Sequence, residues 1–309
     1  MSAPAFPVVD GARERCISDE AADFFRSNGL LVLRNVIGAD ELARLQAETA
    51  TLVDTALAGG HDNPDFCYKT HAETGDLVPF RVEYVVDKLS STKALLGHPF
   101  LLRTISKLAG PAFVPTWDSM VFKMAGGGAA IDWHRDGGLC EDAVSLLSSG
   151  RAFNVDIYLD RADMDSCLWG LPGSNNWSDE DADAAIARLN EGGVSTEGAV
   201  PLPMEPGDVL LHNVLVLHGS RATSGPLRRV IYYEFRPADI ELAVGPHTPE
   251  YVEVKQHVQA AAVRHRRLAP YAAGEDAYEY LPNGEADPAW AAEPPTWRYP
   301  HGRYLRSAV

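Results

Sequence analysis

Long apolar runs, a basic amino-terminal leader and paired cysteines are all missing from this 309-residue chain. No uninterrupted apolar run approaches the ~18 residues that a membrane-spanning helix needs. Residues 1–10 have neither the basic start nor the long apolar centre of a secretory signal. We therefore expect a soluble, cytoplasmic protein with no membrane partner.

Cysteine is scarce. The four cysteines, Cys16, Cys67, Cys140 and Cys167, are widely separated, and none belongs to a Cys-X-X-Cys pair. This spacing is not that of a structural zinc site or a redox motif. Free thiols in a reducing compartment are the expected state.

Positive charge is also in short supply. The chain has 27 lysines and arginines against 43 acidic residues, which gives a net charge of −16. Surfaces that bind nucleic acids are basic. We therefore expect no nucleic-acid partner.

Metal-binding side chains are present in a specific arrangement. His134 and Asp136 are two residues apart, and His218 follows much later in the run His-Gly-Ser. Residues i and i+2 of a strand project from the same face, so His134 and Asp136 can bind one ion together. Two imidazoles and one carboxylate leave about three positions of an octahedral ferrous ion open, as non-heme iron oxygenases require.

The surrounding sequence predicts strands and turns at these ligands. Residues 122–133 indicate a strand, a glycine turn and a second strand that leads into the motif. Residues 205–208 indicate a turn before a buried strand at 209–211, and residues 228–235 a further strand. Residues 59–80 are expected to be less regular. Helices are predicted at 98–108, 179–189 and 251–268.

With these motifs, residues 19–237 resemble the phytanoyl-CoA dioxygenase family of iron(II)- and 2-oxoglutarate-dependent oxygenases. Residues 19–57 are similar to the family's opening helix, glycine turn, strand and second helix. Residues 167–174, CLWGLPGS, are similar to a family loop that ends in Pro-Gly-Ser-His. Asn175 stands where that histidine usually follows, so we expect an atypical pocket near the loop.

The resemblance implies a role for each matching residue. His134, Asp136 and His218 would bind Fe(II), and Arg228 would hold the distal carboxylate of 2-oxoglutarate, with dioxygen as cosubstrate. Arg229 is the alternative, because a one-residue change of strand register reverses the faces. An arginine suits this position because its planar guanidinium binds a carboxylate through two parallel hydrogen bonds.

Two further residues, one close to the distal histidine in sequence and one six residues before it, each have two possible roles. The resemblance implies that Ser220 donates a hydrogen bond to the same carboxylate, and an ordinary turn serine is the competing interpretation. His212 could replace His218 as a ligand, but only His218 opens the His-Gly-Ser run. Because Asp136 keeps the carboxylate that related halogenases lack, the resemblance does not predict a halogenase.

The fold that the resemblance implies is mainly β with flanking helices: a double-stranded β-helix, the jelly roll of cupin-like proteins, with iron in its mouth. Residues 1–237 would form the catalytic domain with its amino-terminal helices. Residues 238–309 would form a helical, aromatic extension that packs on the barrel or in a homodimer interface, because exposed aromatics would leave an apolar patch.

The resemblance implies oxidation of an unactivated C–H bond of a small molecule, by hydroxylation or oxidative cyclisation, but does not select the substrate. The alanine-rich, arginine-over-lysine composition leads us to expect secondary-metabolite tailoring, as in antibiotic biosynthesis, on an aminoglycoside or another sugar-containing compound. The alternatives are an acyl-CoA or amino-acid hydroxylase of the same family, a catalytically silent jelly-roll binding module, and a cupin-like barrel that does not use 2-oxoglutarate.

Overall fold

The computed structural model describes residues 6–59, 62–71, 74–136, 150–285 and 287–305. Within these ranges two β-sheets enclose a cavity, and helices cover the outer face of the larger sheet. The described cysteines, Cys16, Cys67 and Cys167, are free thiols, as expected. The fourth, Cys140, lies outside the described residues.

The amino-terminal unit follows directly from local sequence signals. The Ser18 hydroxyl accepts a hydrogen bond from the Ala21 amide and caps the first helix, α1 (Asp19–Asn28). The helix ends at Gly29, whose φ of 73° is a conformation that glycine adopts at little cost. A buried strand, β2 (Leu30–Arg34), and a long helix, α2 (Ala39–Leu57), follow.

The larger sheet has eight strands among the described residues, in the order β1-β2-β10-β7-β12-β5-β4-β3. Its strands besides β2 are β1 (Val9–Asp10), β3 (Phe66–Thr70), β4 (Leu77–Glu83), β5 (Phe113–Lys123), β7 (Phe153–Tyr158), β10 (Val209–Asn213) and β12 (Arg228–Pro237). All neighbours pair antiparallel except β1 and β2.

The smaller sheet has four strands in the described part of the chain, in the order β6-β11-β8-β9. They are β6 (Ile131–His134), β11 (His218–Ser220), β8 (Leu168–Gly170) and β9 (Val200–Leu202). The chain passes from β5 of the large sheet to β6 of the small sheet through the predicted glycine turn. Two antiparallel sheets facing each other across a cavity are the arrangement of a jelly roll.

Strand β12 shows how side-chain alternation divides the molecule. Val230 and Tyr232 point into the cavity. The intervening Ile231 and Tyr233 point to the other face and are buried in the main hydrophobic core. One face of the large sheet therefore forms the cavity wall and the other packs against helices.

The described helices besides α1 and α2 are α3 (Val85–Lys88), α4 (Ser90–Leu96), α5 (Pro99–Ala109), α6 (Asp179–Asn190), α7 (Ala238–Val244) and α8 (Pro249–Leu268). Of these, α6 packs against β6 of the smaller sheet. The predicted helices at 98–108, 179–189 and 251–268 correspond to α5, α6 and α8. The sequence did not lead us to expect α3, α4 or α7.

The expectation of a less regular region at 59–80 was wrong, because β3 and most of β4 lie there and pair as an antiparallel hairpin. A β-bulge between Cys67 and Tyr68 interrupts the pairing. A bulge breaks the two-residue alternation from which strands are recognised. The outer ends of both strands are also exposed and partly polar.

The segment after residue 237 shares the main hydrophobic core. Tyr251, Val258, Tyr280 and Trp297 belong to the same buried cluster as Phe113 of β5. The Tyr251 hydroxyl donates to the Thr116 carbonyl at 2.5 Å. The division into domains 1–237 and 238–309, and any homodimer interface, stay predictions.

No helix in the described ranges combines the length and the apolar composition required to cross a bilayer.

Candidate metal centre

Three side chains converge at one point between the two sheets. Strands β6 and β11 pair antiparallel with His218 opposite His134, and Asp136 follows two residues after His134. The nearest His134 Nε2 to Asp136 Oδ1 distance is 3.3 Å, and His218 Nε2 lies 3.6 Å from Asp136 Oδ2. One ligand atom from each residue falls within a 4.8 Å cluster, the spacing at which one metal ion can contact all three.

Backbone carbonyls orient both imidazoles. His134 Nδ1 lies 2.7 Å from the Asp132 carbonyl oxygen, and His218 Nδ1 lies 3.0 Å from the Val216 carbonyl oxygen. A carbonyl only accepts, so each Nδ1 carries the proton and donates it. Both Nε2 atoms therefore present a lone pair to the cavity, as a metal ligand requires.

The charge states also favour metal binding. Burial, reinforced by the neighbouring His134, lowers the pKa of His218 to about 3, so this imidazole is neutral. Burial opposes ionisation of Asp136, but the three surrounding histidines, of which His212 is protonated, hold its pKa well below its usual range. A neutral imidazole and an ionised carboxylate are the forms that bind a divalent cation.

Two buried side chains hold the Asp136 carboxylate in place, a role that the sequence did not predict for either of them. Asn154 Nδ2 donates to Asp136 Oδ2 at 2.6 Å, and His212 Nε2 lies 3.0 Å from the same oxygen. Asn154 and His212 are opposite each other on the neighbouring strands β7 and β10, with both side chains buried. The sequence could have indicated this role, because both residues occupy inward-facing positions on strands beside a metal ligand.

His212, the alternative ligand, lies between two carboxylates. Its Nδ1 is 3.0 Å from Asp156 Oδ2, and its Nε2 faces Asp136. Burial opposes protonation, but the charges of Asp156 and Asp136 raise its pKa to about 10. His212 is therefore a protonated partner of Asp136, and a protonated imidazole has no lone pair for a metal.

Arg228 and Ser220 line the same cavity as the three ligands. Arg228 is fully enclosed, and its NH1 group donates to the Ser166 carbonyl at 2.8 Å. Its Nε is buried and has no hydrogen-bond partner among the described residues. Burial lowers the pKa of Arg228, and nearby Tyr158 and Asp156 partly offset this effect.

Arg229 points to the opposite face of β12. It forms a two-pronged ion pair with Asp160, with Nε to Oδ2 at 2.8 Å and NH2 to Oδ1 at 2.9 Å. It also donates to the Gln46 carbonyl and the Thr49 hydroxyl on α2. The structure therefore brings Arg228 to the candidate centre and places Arg229 outside it.

The cavity has a volume of about 330 Å³. Besides the residues above, its wall includes Lys69, Phe80 and Arg81 from the β3–β4 hairpin, Tyr232 from β12 and Asp132 from β6. The hairpin residues were missed because their strands were not recognised.

Several other large side chains lie outside the cavity wall. Trp133 and Trp117 do not line the cavity, and Arg135 forms an ion pair with Asp179 at 2.9 Å. Asn175 is buried in a short 3-10 turn and donates to the Arg26 carbonyl on α1 at 3.2 Å. Asn175 is therefore not part of the cavity wall, and the expectation of an atypical pocket stays a prediction.

Residues 25–230 match the sequence profile of the family described as phytanoyl-CoA dioxygenase (PhyH). The chain belongs to this family. The match covers well over half of the chain and includes all of the candidate metal ligands. The predicted class, a non-heme iron, 2-oxoglutarate-dependent dioxygenase, is thereby confirmed, as are iron and 2-oxoglutarate as its cofactors.

Individual relatives agree with the family match. The dioxygenase lolE1 of Epichloe uncinata is 25% identical over 207 residues, which are 65% of this chain and 75% of the relative. AviO1 from Streptomyces viridochromogenes Tue57 is 28% identical, with a TM-score of 0.58 over 70% of this chain and 93% of its own. EvdMO1 is 29% identical, with a TM-score of 0.57 over 70% of this chain, but the match spans only about half of its length, 49%.

More distant solved structures share the fold. SnoK, a non-heme α-ketoglutarate-dependent carbocyclase from nogalamycin biosynthesis, is 18% identical with a TM-score of 0.57 over 75% of this chain and 87% of its own. EctD from S. alaskensis with bound Fe is 21% identical with a TM-score of 0.55, covering 72% and 78%. The predicted jelly roll is therefore confirmed.

Proposed function

We propose that His134, Asp136 and His218 bind the catalytic iron, that Arg228 binds the distal carboxylate of 2-oxoglutarate, and that the enzyme oxidises an unactivated C–H bond of a small molecule. One observation carries the proposal: a buried arginine with an unpartnered nitrogen lines the same cavity as a two-histidine, one-carboxylate cluster.

The donor set fits ferrous iron. One nitrogen each of His134 and His218 and one carboxylate oxygen of Asp136 all lie within 4.8 Å of one another. Such a cluster binds through one face and leaves the opposite positions open. Four protein ligands would instead close the coordination shell, as in structural zinc sites.

The surroundings of Arg228 fit a carboxylate. A buried polar atom that lacks a partner is destabilising, so the unpartnered Nε indicates a missing acceptor. Arg228 uses NH1 for the Ser166 carbonyl, which holds the guanidinium in one orientation. Ser220, also buried and lining the cavity, would donate a further hydrogen bond to the same carboxylate.

When bound, iron and 2-oxoglutarate together activate dioxygen for C–H oxidation, with succinate and carbon dioxide as co-products. The protein orients the metal ligands and keeps water away from the reacting atoms. Carbonyl-anchored His134 and His218 keep their Nε2 lone pairs directed at the metal, and Asn154 fixes the Asp136 carboxylate. The apolar wall at Val121 and Val230 limits access of water to the reacting atoms.

Secondary-metabolite tailoring is the role that the relatives support best. SnoK is named as a carbocyclase and SnoN as an epimerase, both from nogalamycin biosynthesis and both using α-ketoglutarate. We propose tailoring of a secondary metabolite for this chain by analogy. Hydroxylation as against oxidative cyclisation, an antibiotic product and the cytoplasmic location stay predictions.

Succinate formation from 2-oxoglutarate in air tests the assignment before any substrate is known. With ascorbate as the reductant in place of the substrate, the iron-loaded native protein should release succinate and Asp136→Ala should release none above background. Asp132→Ala is the matched control, since its carboxylate also lines the cavity but is outside the ligand cluster. Equal succinate release by the native protein and Asp136→Ala would contradict the assignment.

A further inference from the structure

The β3–β4 hairpin places a lysine in the wall of the catalytic cavity. Lys69 is half-buried, and its ammonium nitrogen lies 5.1 Å from the centre of the Phe80 ring. The same nitrogen donates one hydrogen bond, of 3.3 Å, to the Ala130 carbonyl next to β6. A cation above an aromatic ring and beside a carbonyl is held in place before any ligand arrives.

The other cations of the cavity are already engaged. Arg81 forms an ion pair of 2.7 Å with Glu83 and lies over the Trp117 ring at 5.2 Å. Arg228 is enclosed beside the metal ligands, where it serves 2-oxoglutarate in the proposed function. Lys69 has no ion pair with any described residue, and its single long hydrogen bond leaves two of its three N–H donors free.

Lys69 forms no ion pair with the carboxylates that line the described part of the cavity. Asp136 and Asp156 are both paired with His212. Asp132 lines the cavity but is exposed and forms no ion pair with Lys69. The protein has a net charge of −16, yet the Lys69 ammonium in the cavity wall has no ion pair with a described carboxylate.

We propose that Lys69 binds an anionic group of the substrate, a carboxylate, and so orients the substrate for oxidation. The inference rests on the proposed function, because it places the reacting carbon between Lys69 and the metal cluster. Half-burial strengthens such a pair relative to one in bulk water. Phe80 supplies an apolar surface for the carbon skeleton next to the charge.

Cavity size and charge narrow the substrate class. A volume of about 330 Å³ is at the low end for ligand pockets and must also hold 2-oxoglutarate. The part of the substrate that enters is therefore small. A small acid fits both properties, whereas the polycationic aminoglycoside expected from the sequence would place positive charge against Lys69.

The test is a panel of small organic acids, each paired with its neutral primary amide and its phosphate analogue, on the enzyme loaded with Fe(II) and 2-oxoglutarate. Binding is read without oxygen as a shift of the iron-to-2-oxoglutarate absorption band, and turnover in air as stimulated succinate release. The native enzyme should prefer acids to their amides by about tenfold, the loss expected when one charge of a pair is removed.

Three variants separate the role of Lys69 from a structural effect. Lys69→Met should abolish the preference for acids over amides, and Lys69→Arg should keep it, with 2-oxoglutarate affinity unchanged in both. Lys93→Met is the matched control, because Lys93 also lies over an aromatic ring, 4.8 Å from the centre of Trp297, but outside the cavity. The Lys93→Met variant should prefer acids over amides as strongly as the native enzyme does.

Each result decides the proposal. An unchanged acid-to-amide ratio in Lys69→Met, a response to amides or phosphates only, or no response to any acid would overturn the assignment of Lys69. Absence of the absorption band in the native protein would instead contradict the proposed function itself, whatever the Lys69 variants do.

Discussion

Arg228 and Arg229 are neighbours in the chain but serve opposite faces of β12. Arg228 lines the cavity with its Nε unpartnered, and Arg229 is bound to Asp160 and to α2. Adjacent strand residues point in opposite directions, so Arg229 supports the helix packing while Arg228 reaches the cavity, where we propose that it binds 2-oxoglutarate.

Replacing each arginine by methionine should separate these two roles. Arg228→Met should raise the Kd for 2-oxoglutarate about 100-fold, because the carboxylate loses a buried charged partner. Arg229→Met should leave that Kd unchanged and lower the free energy of unfolding by about 2 kcal/mol or more, because Asp160 is left unpaired. Calorimetric titration and urea denaturation measure the two quantities. A reversed pattern would show that Arg229 is the ligand.

Asn154 should control metal affinity without touching the metal. It donates to the Asp136 oxygen at 2.6 Å, and loss of such a support weakens metal binding by about 10- to 100-fold. Asn154→Ala should show this loss in an anaerobic Fe(II) titration. Asn176→Ala is the control, since that amide donates to the exposed Ser27 carbonyl. Native-like affinity in Asn154→Ala would exclude the supporting role.

Lys123 should make stability depend on pH. Its ammonium is enclosed and donates to the carbonyls of Ala129 and Arg221 at 2.6 and 2.7 Å. Burial, with the positive charge of Arg228, lowers its pKa to about 7. Above this value the folded protein binds fewer protons than the unfolded chain, so the contribution of Lys123 to stability rises with pH until the ordinary lysine pKa is reached.

The comparison of native protein with Lys123→Met isolates this effect, because other titrating groups cancel. In the ligand-free protein, the difference in free energy of unfolding should shift in favour of the native chain by about 1 kcal/mol per pH unit between about pH 7 and about pH 9. Denaturation curves at several pH values measure it. Parallel pH profiles would mean that Lys123 does not release its proton in this range.

At the residue scale, the sequence was informative where chemistry and spacing coincide. His134, Asp136 and His218 were recognisable because few residue types bind iron and a two-residue spacing places two of them on one face. Asn154 and Lys69 were not recognisable from the sequence, because no characteristic spacing relative to other residues marks an asparagine or a lysine of a binding site. Their roles depend on which strands are neighbours in the sheet, and this pairing is not a local property.

At the scale of elements, close backbone contacts hold α8 against α4. A Cβ built on Gly97 would lie 2.3 Å from the Ala262 carbonyl oxygen of α8. Gly97→Ala should therefore push the helices apart and lower the free energy of unfolding by about 1–3 kcal/mol. Gly302→Ala, where a Cβ would meet nothing within 4 Å, should be neutral. Equal melting temperatures for both variants would exclude a tight contact.

The elements with explicit end signals were predicted best. Ser18 and Gly29 mark the ends of α1, and the Ser178 hydroxyl caps α6 by accepting from the Asp181 amide. The β3–β4 hairpin lacks such signals: it has a bulge and exposed outer ends, and it is stabilised by pairing of β4 with β5. Tertiary pairing of this kind is not visible in a local pattern.

At the scale of the whole molecule, the segment after residue 237 completes the packing of the large sheet. Lys255 of α8 pairs with the buried Asp118 of β5 at 3.7 Å, and Arg266 pairs with the buried Glu41 of α2. Buried charges are destabilising unless they are paired. The segment therefore both covers apolar surface and neutralises charge, while the cavity on the other face of the sheet stays open for the reaction.

The most direct test of this account is anaerobic titration with Fe(II) and 2-oxoglutarate, followed by the weak visible metal-to-ligand charge-transfer band. The native protein should develop the band. His218→Ala and Asp136→Ala should not, and His265→Ala, a partly exposed histidine beside Trp297 and Glu293, should match the native protein. No band in the native protein, or an undiminished band in His218→Ala, would contradict the central claim that His134, Asp136 and His218 hold the catalytic iron.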